Sequence, residues 1–129
     1  MKKQVDVVYE EGEGLDKYEL KGTVTMKRLN FSEKNSIEEE STDIRMIGSV
    51  PQIKVSTSKI KELGIFKSVD SCDLIETHYV EDKVTKAATP MNTQYILDIA
   101  GIRKLPQEVG EQLVAIYTEM NSVSEKKKQ

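Results

Sequence analysis

The residues of this chain whose types could do chemistry crowd into one stretch, DSCDLIETHYVED at 70–82. Asp70, Cys72, Asp73, Glu76, His78, Glu81 and Asp82 are all potential metal ligands. A catalytic zinc site takes three protein ligands in fixed geometry, and a structural site typically takes four Cys or His. One Cys and one His match neither pattern, so no metal and no other cofactor is expected. A small metal-dependent enzyme centred on Cys72, Glu76 and His78 ranks third among the functional readings below. Ile75, Thr77 and Tyr79 alternate, which predicts a solvated strand or loop with His78 on the opposite face among acids.

Other catalytic machinery lacks its parts. A general acid–base pair, a nucleophile with a positioned base, and a phosphate cradle each need particular residues brought together. The chain has one His, one Cys, no G-x-S-x-G and no Walker loop. Glu10-Glu11-Gly12-Glu13-Gly14 lacks the full spacing of a dinucleotide loop, and its glutamates would repel phosphate, so it reads as a hairpin turn. Carboxylate pairs discriminate nothing, because 22 Asp and Glu make them plentiful. The chain therefore reads as a non-enzyme.

Charge and composition narrow the partners. A formal net charge of −3 over 129 residues argues against non-specific nucleic-acid binding, which needs a basic stripe to displace phosphate counterions. No aromatic-interleaved basic stretch offers base stacking either. The single Cys72 excludes an intrachain disulfide and fits a reducing compartment. No apolar run approaches the roughly 20 residues of a membrane span, and Met1-Lys2-Lys3 leads into alternating residues rather than a signal-peptide block. A soluble, cytosolic protein is expected, with no nucleic acid and no membrane among its partners. With 37% hydrophobic residues, no Trp and two Phe, its core should be modest and its loops long and polar.

The elements that must position these residues follow from periodicity. Val5, Val7 and Tyr9 alternate with polar positions, as do Tyr18, Leu20, Val24 and Met26, and predict an opening β-hairpin. Ser32 is a suitable N-cap for a helix over 33–42, with the capping box left incomplete by Asn35 and Phe31 pinning the start. In 42–57, Ile44 and Met46 alternate on one side of Gly48-Ser49-Val50-Pro51 and Ile53 and Val55 on the other, which predicts a second hairpin. Its edge could pair with another chain. Ser56-Thr57-Ser58 caps a helix over 58–68 whose Ile60, Leu63, Phe66 and Val69 share a face, with Ile65 off to the side. Thr89-Pro90 then predicts a helix from Met91 to Ala100 stopped by Gly101, although Gln94–Ile99 also fits a strand.

The clearest element is LPQEVGEQLVAIYTEMN at 105–121. Pro106, Val109, Leu113, Ile116, Tyr117 and Met120 fall on one side of a helix; Gln107, Glu108, Glu111, Thr118 and Glu119 fall opposite. Its Gly110 costs about 1 kcal/mol against Ala, which points to close approach by another backbone or to simple tolerance. The fold class expected is α+β: one or two N-terminal hairpins, then three to four short helices ending in an amphipathic helix at about 106–121. Residues 1–121 should form a single compact domain, with a disordered basic tail at 122–129.

Three passages, TVTMKRLNFSEKNSIEEES at 23–41, KVSTSKIKELGIFKSV at 54–69 and IRKLPQEVGEQLVAIYTEMN at 102–121, together resemble the layout of the small tail assembly chaperones of long-tailed phages. The matches cover about half the chain and are patterns of residue type; the 42–57 hairpin and the acidic 70–82 stretch do not map onto that family. The resemblance implies a non-enzymatic factor, acting in the host cytoplasm, that binds the helical tape-measure protein, keeps it soluble and brings tail-tube subunits to it. The alternative is a virion structural subunit, a tail-tube, tail-completion or head–tail joining protein, using 44–55 for ring contacts. The apolar face of the last helix is expected to be core, so partners should meet its rim at Glu108, Glu111 and Gln112. Glu38 and Glu39 are candidates for a basic partner. Ile53 and Val55, on the second hairpin, are candidates for pairing with another chain, self-association included.

Overall fold

The structure, a computed structural model, describes residues 2–122; of the expected tail at 122–129 only Ser122 falls within them. The fold is α+β. A four-stranded antiparallel sheet is built from β1 (Lys2–Glu11), β2 (Tyr18–Lys27), β5 (Val69–Glu81) and β6 (Ala88–Tyr95) in the order β1-β2-β5-β6. Between β2 and β5 the chain leaves the sheet as α1 (Phe31–Ser41), a two-stranded ribbon of β3 (Thr42–Ile47) and β4 (Val50–Val55), and α2 (Thr57–Ser68). It closes with α3 (Ile99–Arg103) and α4 (Gln107–Asn121).

Alternation sets which face of the sheet is buried. Val5 lies opposite Val24, Val7 opposite Gly22 and Gly22 opposite Leu74, so the apolar members of three strands share one face. Helices cover it: Val109, Leu113 and Met120 of α4, Ile65 of α2 and Ile102 of α3 join Val7, Leu20, Val24, Met26 and Leu74 in one cluster. The other face carries charge. Lys21 pairs there with Glu10 at 2.8 Å, and Lys17 with Glu19 at 3.1 Å.

Both expected hairpins are present. Ile47 pairs with Val50 across the two-residue turn Gly48-Ser49, with φ of 65° at Gly48. Positive φ at the first central residue alone is the pattern of a type II′ turn, which Gly adopts without steric cost.

Four local expectations are corrected. Asn30, not Ser32, caps α1, and counting from it makes Glu33 the third helical residue. The capping box is therefore complete: Glu33 N–H donates to Asn30 Oδ1 at 2.8 Å, and Asn30 N–H to Glu33 Oε1 at 3.1 Å. Phe31 pins nothing, being 80% exposed. In α2 the inward residues are Gly64, Ile65 and Ser68 rather than Phe66, because a run spaced by three drifts about 60° around the helix at each step. Residues 88–95 form the strand β6 rather than a helix. The 13-residue β5 presents an open hydrogen-bonding edge that β6 completes, and Pro90 is tolerated because β6 is itself an edge strand. The helix expected there is delayed to α3, capped by Asp98, whose Oδ1 accepts from Gly101 N–H at 2.7 Å.

Candidate functional site

The metal-ligand types of 70–82 are dispersed by strand geometry. Cys72, Leu74, Glu76 and His78 lie on the face of β5 that the helices cover, opposite Val24, Gly22, Leu20 and Tyr18, while Asp73 faces the other way. His78 lies on the face opposite Ile75, Thr77 and Tyr79 and beside Glu76, as the alternation predicts; Leu74 is buried on the same face and Thr77 on the other. Asp70 is held by Lys2 at 3.0 Å. Among the described residues no three His, Cys, Asp or Glu side chains converge on a common point. Burial pushes the Cys72 thiol above its ordinary pKa, and Sγ donates to the Tyr95 carbonyl at 3.6 Å.

Where the covered face runs out past the helices, a polar cleft of about 660 Å³ opens between the ends of β2, β5 and β6 and the short helix α3. At its centre the Tyr18 hydroxyl donates to Glu76 Oε2 at 2.9 Å, and His78 Nε2 lies 3.4 Å from Glu76 Oε1. The Tyr18 and His78 rings sit 5.1 Å apart. Burial first, and then the bond to Glu76, raise the Tyr18 phenol well above its usual range, so it remains a donor. Tyr95 on the far wall donates to the Gly101 carbonyl at 2.5 Å and ties β6 to α3. The groups at the centre of this cleft are bonded to one another. It is a hydrogen-bonded wall that braces the end of the sheet.

A second depression, of about 600 Å³, runs between α2 and α4 and is closed at one end by α3. It is made by one stripe from each helix: Ser58, Lys61, Glu62 and Ile65 of α2 face Gln107, Gly110, Glu111, Val114 and Ala115 of α4. Both sets step by three and four residues, the spacing that keeps side chains on one helix face. Ile65, Ile102 and Val114 supply an apolar floor. A Cβ built on Gly110 would meet nothing within 4 Å. No backbone approaches Gly110; the glycine leaves room in the groove. Charges of both signs rim it, with Arg103 Nε 3.0 Å from Glu62 Oε2.

The residues expected at a partner surface fall into three places. Glu111 lines the groove and accepts from Gln107 Nε2 at 3.0 Å. Gln112, one residue on, turns toward the sheet, where Nε2 donates to the Asp6 carbonyl at 2.9 Å. Glu108 is exposed on the first turn of α4. Glu38 and Glu39 are exposed on the last turns of α1, just before the ribbon. Ile53 and Val55 lie on the ribbon, 66% and 53% exposed. The ribbon has an apolar face, with Ile44 opposite Ile53, Met46 opposite Pro51 and Thr42 opposite Val55, whereas Asp43 opposite Lys54, Arg45 opposite Gln52 and, at the turn, Ile47 opposite Val50 share the other.

The α2–α4 groove is not legible in the sequence, because the main apolar stripe of α4 masks the one beside it. Its signal was the run of Gly110, Val114 and Ala115, small or slender residues next to Val109 and Leu113, which leave a hollow when another helix packs alongside. Within the described residues no helix is long and apolar enough to cross a membrane. No protein-family model, no curated protein and no solved structure matches this chain.

Proposed function

We propose that this protein is a non-enzymatic tail assembly chaperone that holds the helical tape-measure protein through the groove between α2 and α4. The observation that carries the reading is the groove itself. Its floor of Ile65, Ile102 and Val114, opened by Gly110, runs along two helices beneath a rim of mixed charge. An amphipathic helix laid in such a groove contacts it through anchors at i, i+3, i+4 and i+7. Each apolar anchor fully buried there contributes about 1.5–3 kcal/mol, so three or four give a hold that subunit assembly can reverse. Glu111 and Gln107 then meet polar residues of the bound helix. The core face of α4, with Leu113 fully buried, takes no part.

Co-expression with the tape-measure protein of the same genome tests the reading. The chain is expected to co-purify with that protein and keep it soluble, and Ala115→Arg, at an exposed position in the groove, to abolish both effects. A chain that neither binds nor solubilises the tape measure removes the proposal.

The ribbon favours a second reading, as a virion structural subunit, because strands with an exposed apolar face can extend a neighbour's sheet in a ring. Stoichiometric copies in purified particles would select it, since a chaperone is left behind at assembly.

A further inference from the structure

The ribbon carries an exposed apolar face on a short element with both outer edges open. Ile44, Met46, Ile53 and Val55 on that face are each more than half exposed, as are Ile47 and Val50 beside the turn on the opposite face. Among the described residues β3 hydrogen-bonds as a strand only to β4, and β4 only to β3. Open edges of this kind are normally blunted by a lysine, a proline or a bulge. β4 is blunted twice, by Pro51, which has no N–H to donate, and by Lys54. β3, Thr42-Asp43-Ile44-Arg45-Met46-Ile47, has neither lysine nor proline, and its ladder to β4 runs without a register shift.

We propose that β3 is a self-association edge, along which two copies of this chain pair antiparallel about a two-fold axis through Ile44. The charge pattern of β3 selects the occupant. In that register Ile44 lies opposite Ile44 of the partner subunit, and Asp43 opposite Arg45 of the partner subunit. The two-fold repeats the charged pair in reverse, and Thr42 meets Met46 of the partner subunit at either end. Residues directly opposite in an antiparallel pair share a face, so two ion pairs form on the polar side. Ile44, Ile53, Met46 and Val55 from both copies make one continuous apolar side. The β4 edge has no such register: pairing two β4 strands about Ile53 sets Gln52 against Lys54 and uses no opposite charges. The result is a four-stranded sheet, β4-β3-β3-β4, shared by two subunits. It is closed by its symmetry and ends on the two blunted edges.

A junction of two six-residue strands lies below the roughly 1,200 Å² of a stable interface, so a weak, concentration-dependent dimer is expected. The inference stands independently of the tape-measure reading, which uses a different surface.

Analytical ultracentrifugation of the full chain, over roughly micromolar to millimolar concentration, is the test. Asp43 and Arg45 side chains are 59% and 75% exposed, so charge changes there leave the fold intact, as circular dichroism will verify. D43R and R45D each place like charges opposite one another twice and should weaken the dimer about tenfold or more. An equimolar mixture of D43R and R45D should dimerise again. In the mixed pair the arginine brought in at 43 meets the aspartate brought in at 45, and the native Arg45 and Asp43 of the two chains meet as before. A monomer at every concentration, a dimer indifferent to both variants, a mixture that stays monomeric, or assembly into rings or open polymers would each overturn the proposal.

Discussion

Two glycines on facing helices are under opposite constraints. A Cβ on Gly64 of α2 would stand 2.5 Å from Cζ and 2.6 Å from Cε2 of Tyr117 on α4, inside any allowed carbon contact. Gly64→Ala should therefore destabilise by about 1–3 kcal/mol, the usual cost of overpacking. Gly110 has open space around it, and Gly110→Ala should stabilise by about 0.5–1 kcal/mol through helix propensity alone. Urea denaturation of the two variants checks both signs, and equal effects would contradict the packing described. Tyr18 supplies a pH dependence. Its phenol is raised above 10.0 first by burial and then by Glu76, so the folded chain favours the protonated form. The stability this confers is complete below about pH 10 and declines as pH climbs above 10 toward the higher folded value. Tyr18→Phe removes that decline along with a bond worth about 1 kcal/mol near neutral pH. The difference in unfolding free energy between wild type and variant should thus shrink from about pH 9 to pH 11, measured by urea titration at each pH.

Among the elements, α1 depends on its ends more than on its faces. Its only buried apolar residue is Ile37, so little packing compensates for a frayed first turn. Asn30→Ala opens the capping box at Asn30 and Glu33 and should cost about 1 kcal/mol. Hydrogen exchange should localise the loss to amides 32–36, and uniform exchange across the chain would show that the cap does not act locally. Elements whose pattern is self-contained were legible in the sequence. The alternation of Val5, Val7, Leu20 and Val24, the turn at Gly48-Ser49 and the stripe Val109, Leu113, Met120 each specify an element without reference to neighbours. β6 was not legible, because Thr89-Pro90 and Gly101 bracket a plausible helix and only the open edge of β5 makes the strand preferable. The capping of α1 was misread for a smaller reason: Asn30 and Ser32 are comparable caps, and the choice falls to the one with Glu three residues on.

At the scale of the molecule, one apolar cluster joins the sheet to α2, α3 and α4. Leu113 is its pivot, fully buried on the helix that packs against β1 and β2. Leu113→Ala should cost about 2–5 kcal/mol of global stability, read as a lower urea midpoint with an unchanged slope. A local effect confined to α4 would mean that the helix is an appendage to the sheet rather than a wall of its core. Residue types and their periods determined by themselves the α+β class, both hairpins and the inward face of α4, because alternation and helical spacing act over a few neighbours. Tertiary structure alone decided the rest. It selected which face of β5 is buried, turning His78 toward Tyr18 and Glu76; it drew 88–95 into the sheet; and it hollowed a groove from stripes of α2 and α4 that lie over 40 residues apart in the chain. These outcomes depend on which distant surface each segment meets, and a backbone edge or a facing ring outweighs the few tenths of a kcal/mol per residue by which local preference chooses.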